Sequence, residues 1–403
     1  MLEWKLIRLG DICKTNENNY YPKDNWKFVN YLDTGSLTEN KITELQYINT
    51  KTDKMPSRAR RKVIKNSILY STVRPNQLHY GIIKEPVDNL LVSTGFTVID
   101  VDTNKAIPEF IYYLLIQNNT TEQLQAIAEQ GVSTYPSIKP SDIENLEFKL
   151  PNLIIQSKIV SILDTIDSKI CQNEQINNNL LQQLDTLYDE FSHRKKWSTV
   201  IINDIAEKVA MGPFGSNIKV STFVSEGVPI ISGNHLRGYF LEEPSFNYIT
   251  EEHAQRLKNS IVYPKDIVFT HAGNIGQVAM IPDDCCYPMY VLSQRQFYLR
   301  CDTEKAIPEY VVLFFHSKQG QHELLSYANQ TGVPSIAQPA TNLKKIPLKL
   351  PPIDEQRQWL QVVSPIIKLY QSNVYENEHL SSMRDSLLPK LMSGELDVSD
   401  IDI

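Results

Sequence analysis

The sequence predicts an α+β protein: two mixed α/β heads, separated by two long helices that pair as an antiparallel coiled coil with pseudo-twofold symmetry. Three observations carry this expectation. The chain repeats itself at an offset near 200 residues. Each copy runs from a β-rich region punctuated by Gly and Pro into a sustained heptad pattern. The link between the first helical region and the second head, "HRKKW", is short.

The repeat comes first because it fixes the domain plan. "DTNKAIPE" from Asp102 returns as "DTEKAIPE" from Asp302. "KLP" at Lys149 returns at Lys349, Gln156 as Gln356, Leu180 as Leu380 and Leu187 as Leu387. "GVST" at Gly131 has a near-partner in "GVPS" at Gly332, one residue out of step. "WKLIRLGDI" from Trp4 matches "WSTVIINDI" from Trp197 in its tryptophan, apolar spacing and closing Asp-Ile, at an offset of 193. Such a period is too long for a solenoid and reads as two copies of one large unit. At 403 residues each copy is long enough to bury a core of its own. The expected segments are head one at 1–150, a long helix at 151–195, head two at 196–350, a second long helix at 351–393 and an acidic tail at 394–403.

Within the heads, "NSILYSTVRP" and "LLVSTGFTVIDV", and in the second copy "IVYPKDIVFTHAGNIGQVAMI" and "YVLSQRQFYLR", read as strands of a mixed sheet or barrel. Proline fits the first helical turn, where its missing N–H would be unpaired anyway. "PEFIYYLLIQ" and "PEYVVLFFHS" are therefore expected as packed helices, and the twin phrase as a helix start.

The long helices show a seam in alternating steps of four and three. In the first it runs Ile159, Leu163, Ile166, Ile170, Asn173, Asn177, Leu180, Leu184, Leu187 and Phe191. In the second it runs Trp359, Val363, Ile366, Tyr370, Asn373, Asn377, Leu380, Arg384, Leu387 and Leu391. Polar residues at such positions cost stability and fix register. Antiparallel pairing about the centre brings Asn173 to Asn377 and Asn177 to Asn373. Pro365 is expected to kink or divide the second helix.

Composition narrows the class. The 41% hydrophobic and 22% charged residues are ordinary for a soluble globular chain. Five cysteines without framework spacing point to reduced thiols and a cytoplasmic location. The N-terminus lacks a signal-peptide core, and the longest apolar runs are too short for a bilayer, so no membrane partner is expected. A net charge of −7 argues against indiscriminate nucleic-acid coating but leaves room for a local basic face.

Between Lys51 and Lys65 seven basic residues stand against one acid, among them Arg58, Arg60, Arg61 and Lys62. A solvated surface is the bland alternative. Loops of head one carry Arg74, Asn76, Gln77, His79 and Tyr80. Those of head two carry Asn217, Lys219, Asn234, His235, Arg237, His271, Asn274, Gln277 and Arg295. Arg matches guanine edges, Asn and Gln match adenine edges, and Lys holds phosphates, so these residues are the candidate DNA-binding set. Two similar heads suit a target with two parts, and double-stranded DNA has local twofold symmetry for protein symmetry to mirror.

The sequence also resembles the specificity subunit of a type I restriction-modification system. The resemblance rests on "W-x4-LGDI" opening the first half, "GPFGSNIK" and "GVPIISGNHLR" in the second, "LKLPPIDEQRQ" leading into the second helix, and the closing "LLPKLMSGELDV". It covers nearly the whole chain in order. The second copy has "INDI" for "LGDI", and the first has "LPNLIIQ" for "LPPIDEQ". The resemblance implies two target recognition domains, each reading half of a split asymmetric DNA site. It implies long helices that set the gap and bind two modification (adenine methyltransferase) subunits, with restriction subunits in the full complex. It implies no catalysis and no cofactor in this chain; S-adenosylmethionine, ATP and Mg belong to the partner subunits.

The catalytic inventory is in keeping with that. No glycine precedes a lysine, so no phosphate-binding Gly-x4-Gly-Lys loop exists. No Asn/Asp-Pro-Pro-Tyr/Phe box and no His-Glu-x-x-His pair occur, and Cys285-Cys286 lacks companions at metal-ligand spacing, so no metal site is expected. The alternatives are an assembly scaffold whose heads bind proteins, and a nuclease, against which the lack of a carboxylate-lysine metal cluster weighs.

Overall fold

The computed structural model describes residues 4–130, 136–243, 245–329 and 332–401; Gly131 with its "GVST" lies outside the described residues. The chain packs as two units, 1–171 with 379–403, and 172–378. Each unit therefore holds one head and half of each long helix, whereas the sequence plan set the helices apart as whole segments.

In the first unit, Lys5–Arg8 pairs antiparallel with Glu147–Leu150, which joins the two ends of the head. One four-stranded sheet orders Gln46–Asn49, Phe28–Leu32, Leu90–Ser93 and Ala59–Lys62. A second orders Cys13–Thr15, Phe96–Val101, Ser67–Ser71 and Tyr80–Ile83. In the other unit Ser198–Ile201 pairs with Pro347–Leu350. Its sheets order Asn247–Ile249, Val228–Ile231, Tyr290–Leu292 and Ile261–Val262, then Ala206–Met211, Gln296–Cys301, Ile267–Thr270 and Val278–Met280. Strand for strand the order is the same, down to one parallel pair in each head. The central strands are buried on both faces, so they read as apolar runs without alternation.

The helices repeat as well. Pro108–Leu115 and Pro308–His316 are nearly all buried. The twin phrase before them is a turn: the Asp102 carbonyl accepts from Ala106 N–H at 3.1 Å, and Asp302 from Ala306 at 3.0 Å. Gln156 and Gln356, two more of the repeated residues, complete it. The Ile107 N–H donates to Gln156 Oε1 at 2.9 Å, and the Ile307 N–H to Gln356 Oε1 at 2.9 Å. Their amide nitrogens donate to the Pro151 and Pro351 carbonyls at 2.8 and 2.7 Å. Each head is thus tied by a buried amide to the start of the long helix that follows it.

Those helices are Leu153–His193 and Ile353–Ser393. Both pair close to the expected seam, with Ile367 and Leu388 of the second helix buried where Ile366 and Leu387 were expected. In the first unit Ile159 and Leu163 are buried with Leu388 and Leu391, and Arg384 reaches Asp167 at 3.1 Å. In the second unit Leu184 and Phe191 are buried with Trp359 and Val363, the Phe191 and Trp359 rings stacking at 5.6 Å. The asparagines meet as antiparallel register requires. Asn173 Nδ2 donates to Asn377 Oδ1 at 2.9 Å and to Glu376 at 2.7 Å; Asn373 Nδ2 donates to Asn177 Oδ1 at 2.8 Å. Asn177 Nδ2 also reaches the Tyr370 carbonyl at 3.3 Å.

One expectation needs correction. Pro365 does not divide the second helix. It lies on the exposed face, as does Gln361, whose carbonyl it leaves without a helical donor, and the buried Val363 and Ile367 hold the turns on either side. The acidic tail packs back on the first unit. Gly394 turns the chain at φ +78 against the Trp4 ring, Val398 is buried, and Ser399 accepts from Lys158 Nζ at 2.6 Å.

Candidate DNA interface

The loops between sheet strands decide what each head presents. In head two five loop segments meet at one end. The His271 N–H donates to the Arg295 carbonyl at 2.9 Å, and the His271 ring meets the Gln294 carbonyl at 3.1 Å. The Gln294 amide donates to the Gly215 carbonyl, which joins the "GPFGSNIK" loop to the group. Gly233 lies against the Gln277 side chain, so "SGNH" sits beside "THAGNIGQ". The Gly273 N–H donates to the Pro334 carbonyl at 3.0 Å. Asn217, Lys219, Asn234, Asn274 and Arg295 are exposed around this end, and His271 and Gln277 are half-buried. Glycines are needed here: Gly273 and Gly276 take φ of +87 and +90, and a Cβ on Gly212 would meet the Ser293 carbonyl at 2.0 Å.

Head one builds the same end from equivalent bonds. The Thr72 N–H donates to the Gly95 carbonyl at 2.8 Å, Arg74 N–H to Pro136 at 3.0 Å, and Ser71 N–H to His79 at 2.9 Å. The Thr94 N–H donates to the Arg58 carbonyl at 2.9 Å, which brings the basic stretch to this end. Asn76 and Gln77 are exposed on the short turn Pro75–Gln77, and Arg74 before it holds a left-handed φ of +48.

Several nominated residues do other work. His235 is buried; its Nδ1 accepts from Ser232 N–H at 2.9 Å and its Nε2–H donates to the Ser245 carbonyl at 2.8 Å. Burial lowers its pKa, so it is a neutral, fully partnered core histidine. Tyr80 is buried against Tyr70 and Tyr112. His79 is occupied by the Leu37 carbonyl at 2.7 Å and Thr38 at 3.0 Å. Arg237 is exposed, but its neighbour Gly238 lies against Tyr370 of the long helix, away from the converging loops.

The basic stretch also splits. Arg58 and Arg60 are exposed. Arg61 turns inward to Asn19 at 2.8 Å, and Lys62 pairs with Asp24 at 2.9 Å over the Trp26 ring. Sequence reasoning missed Gln294 and Thr72, which join the loops; the offset of 200 from Ser93 to Ser293 marks the segment holding Gln294. Among the described residues no group of three or more His, Cys, Asp or Glu is placed to hold a metal, and no helix is long and apolar enough to cross a membrane.

Two heads of one topology, each ending in convergent polar loops and joined by paired helices, define a duplicated recognition scaffold. The chain belongs to the type I restriction modification DNA specificity domain family, whose model matches residues 1–182 and again 194–380. The HindI specificity subunit of Haemophilus influenzae is 35% identical over 188 residues, 47% of this chain; that alignment spans 40% of the Haemophilus protein. A putative MjaX specificity subunit of Methanocaldococcus jannaschii is 24% identical, covering 98% of this chain and 94% of its own length. The crystal structure of the type I restriction-modification S subunit from M. genitalium shares the fold, with a TM-score of 0.55 at 14% identity over 97% of this chain and 96% of that one.

Proposed function

We propose that the chain is the DNA-reading subunit of a type I restriction-modification complex. Each head reads one half of a split, asymmetric site, and the long helices hold two modification subunits. The observation that carries this is the pairing of one strand order with two different loop sets: the scaffold is duplicated, the side chains at its reading end are not. A scaffold for protein partners would not need Asn, Gln and Arg gathered on sharply turned loops in both heads. Apolar residues left exposed on the helices, Ile176, Val362 and Leu369, supply contact area for the modification subunits. The chemistry, with S-adenosylmethionine, ATP and Mg, belongs to the partner subunits, and this chain supplies positioning alone.

The test is to map methylated adenines in cells carrying the modification subunits, with and without this chain. The expected motif appears only with the chain and has two unlike halves around a gap. One continuous palindrome, or a motif independent of the chain, overturns the proposal.

A further inference from the structure

We infer that Arg74 and Arg295 are the paired base-reading arginines, one per head, occupying one point of the shared fold although they stand on different loops. The inference rests on the DNA-reading function proposed above and goes beyond it by naming the residue in each head that selects a base.

The equivalence follows from the backbone. Thr72 N–H to Gly95 matches His271 N–H to Arg295, at 2.8 and 2.9 Å. Ile138 N–H to Thr72 matches Ile336 N–H to His271, both at 2.8 Å. Arg74 N–H to Pro136 matches Gly273 N–H to Pro334, both at 3.0 Å. The isolated bridges agree: Val73 with Ser137, Ala272 with Ser335. Arg74 therefore stands where head two has Gly273, and Gly95 stands where head two has Arg295.

Side chains then change places. A Cβ on Gly273 would stand 3.4 Å from Nη1 of Arg295, so the exposed Arg295 brings its guanidinium beside the point from which the Arg74 side chain leaves the backbone in head one. In head one a side chain on the other loop would require Thr34 to move aside. A Cβ on Gly95 would come within 2.5 Å of Thr34 Oγ1. The arginine there comes from position 74, at the expense of a left-handed backbone, φ +48, which an L side chain rarely adopts. An arginine thus serves the same corner of both heads from two different loops, with glycine at the partner position each time, which is what a shared task for that group requires. Arginine's planar fork matches the O6 and N7 of guanine, whereas a phosphate contact would not demand so fixed a position.

The experiment uses the full chain co-expressed with the modification subunits and a library of random DNA duplexes. The unaltered complex defines the two half-sites. Arg295→Ala is expected to lose discrimination at one base pair of one half-site by about 5- to 150-fold, and Arg74→Gly at one base pair of the other, with the remaining positions unchanged. Arg295→Lys keeps the charge without the fork and is expected to lose that base as well. Arg74→Gly suits the left-handed backbone and is expected to melt no lower than the parent, so loss of folding does not explain its effect. The inference is overturned if either alanine or glycine variant selects the original motif. It is equally overturned if a variant weakens all sequences alike with a shallower salt dependence, the mark of a phosphate contact, or if Arg295→Lys reads as the parent does. An unaltered complex that selects no sequence would refute the proposed function itself, and this inference with it.

Discussion

Gln356 offers a test of how the heads are fastened to the helices. Its side chain is fully buried and satisfies three main-chain groups: the Ile307 N–H at 2.9 Å, the Pro351 carbonyl at 2.7 Å and the Lys305 carbonyl at 3.2 Å. Gln356→Leu leaves all three without a partner in a site that water does not reach. Each orphaned group costs about 1–3 kcal/mol, so allowing for some relaxation the expected loss is about 3–5 kcal/mol. That is a large share of the roughly 5–15 kcal/mol that holds a domain together. Gln356→Glu separates hydrogen bonding from shape. One oxygen still accepts from Ile307, but the other faces two carbonyls and has to carry a proton. The carboxyl pKa in the folded state is thereby raised above its unfolded value of about 4.3. Its contribution is present below that value and is lost as pH rises through the folded pKa, so this variant is nearest the parent in acid and weakest at neutral pH. Urea unfolding followed by Trp197 and Trp359 fluorescence reads the second unit, and hydrogen exchange at the Ile307 amide reads the bond itself. A loss below about 1 kcal/mol for Gln356→Leu, or a Glu variant indifferent to pH, would refute the reasoning. Gln156 should act in parallel in the first unit, with the Ile107 amide as reporter.

Four further outcomes are expected. Asn177→Leu and Asn373→Leu should each destabilise the second unit by about 1–3 kcal/mol, while the double variant recovers part of that loss; additive losses in a double-mutant cycle would contradict the pairing. His316 stacks on Tyr239 at 3.8 Å and donates to the Val278 carbonyl, and burial pushes its pKa down to about 4. Its neutral form is favoured by folding, so stability is complete above the unfolded pKa of about 6.5 and falls by at most about 3 kcal/mol as pH drops toward 4; His316→Gln should flatten that slope in urea midpoints taken across the range. Ending the chain after Ser393 removes the buried Val398 and the Ser399 bond to Lys158, and should lower first-unit stability by about 2 kcal/mol in thermal melts. Arg58→Ala with Arg60→Ala should weaken binding to all DNA sequences and reduce the salt slope by up to about 2, whereas Arg61→Ala should appear first as lost stability because its guanidinium holds Asn19.

The sequence by itself determined the duplication, the two long helices and their register. These rest on periodicity, and periodicity is local: a seam in steps of four and three selects one face of a helix whatever else is nearby. Antiparallel pairing follows from the order head, helix, head, helix with the short link "HRKKW", and it sets Asn173 against Asn377 and Asn177 against Asn373. The role of Gln156 and Gln356 was visible only as a repeated letter, because the N–H each accepts from lies 49 residues away, in Ile107 or Ile307. The same distance problem governs the reading end. "SRARRK" looks like one basic patch, yet the strand places Arg58 and Arg60 outside while Arg61 and Lys62 turn to Asn19 and Asp24. "SGNH" looks like one polar loop, yet Ser232 and Ser245 enclose His235. Nor did a repeat near 200 by itself single out Arg74 and Gly273; their equivalent bonds to Pro136 and Pro334 show them to be one position. Side-chain direction and burial depend on contacts between segments far apart in the chain, and those contacts exist only once the sheets have closed.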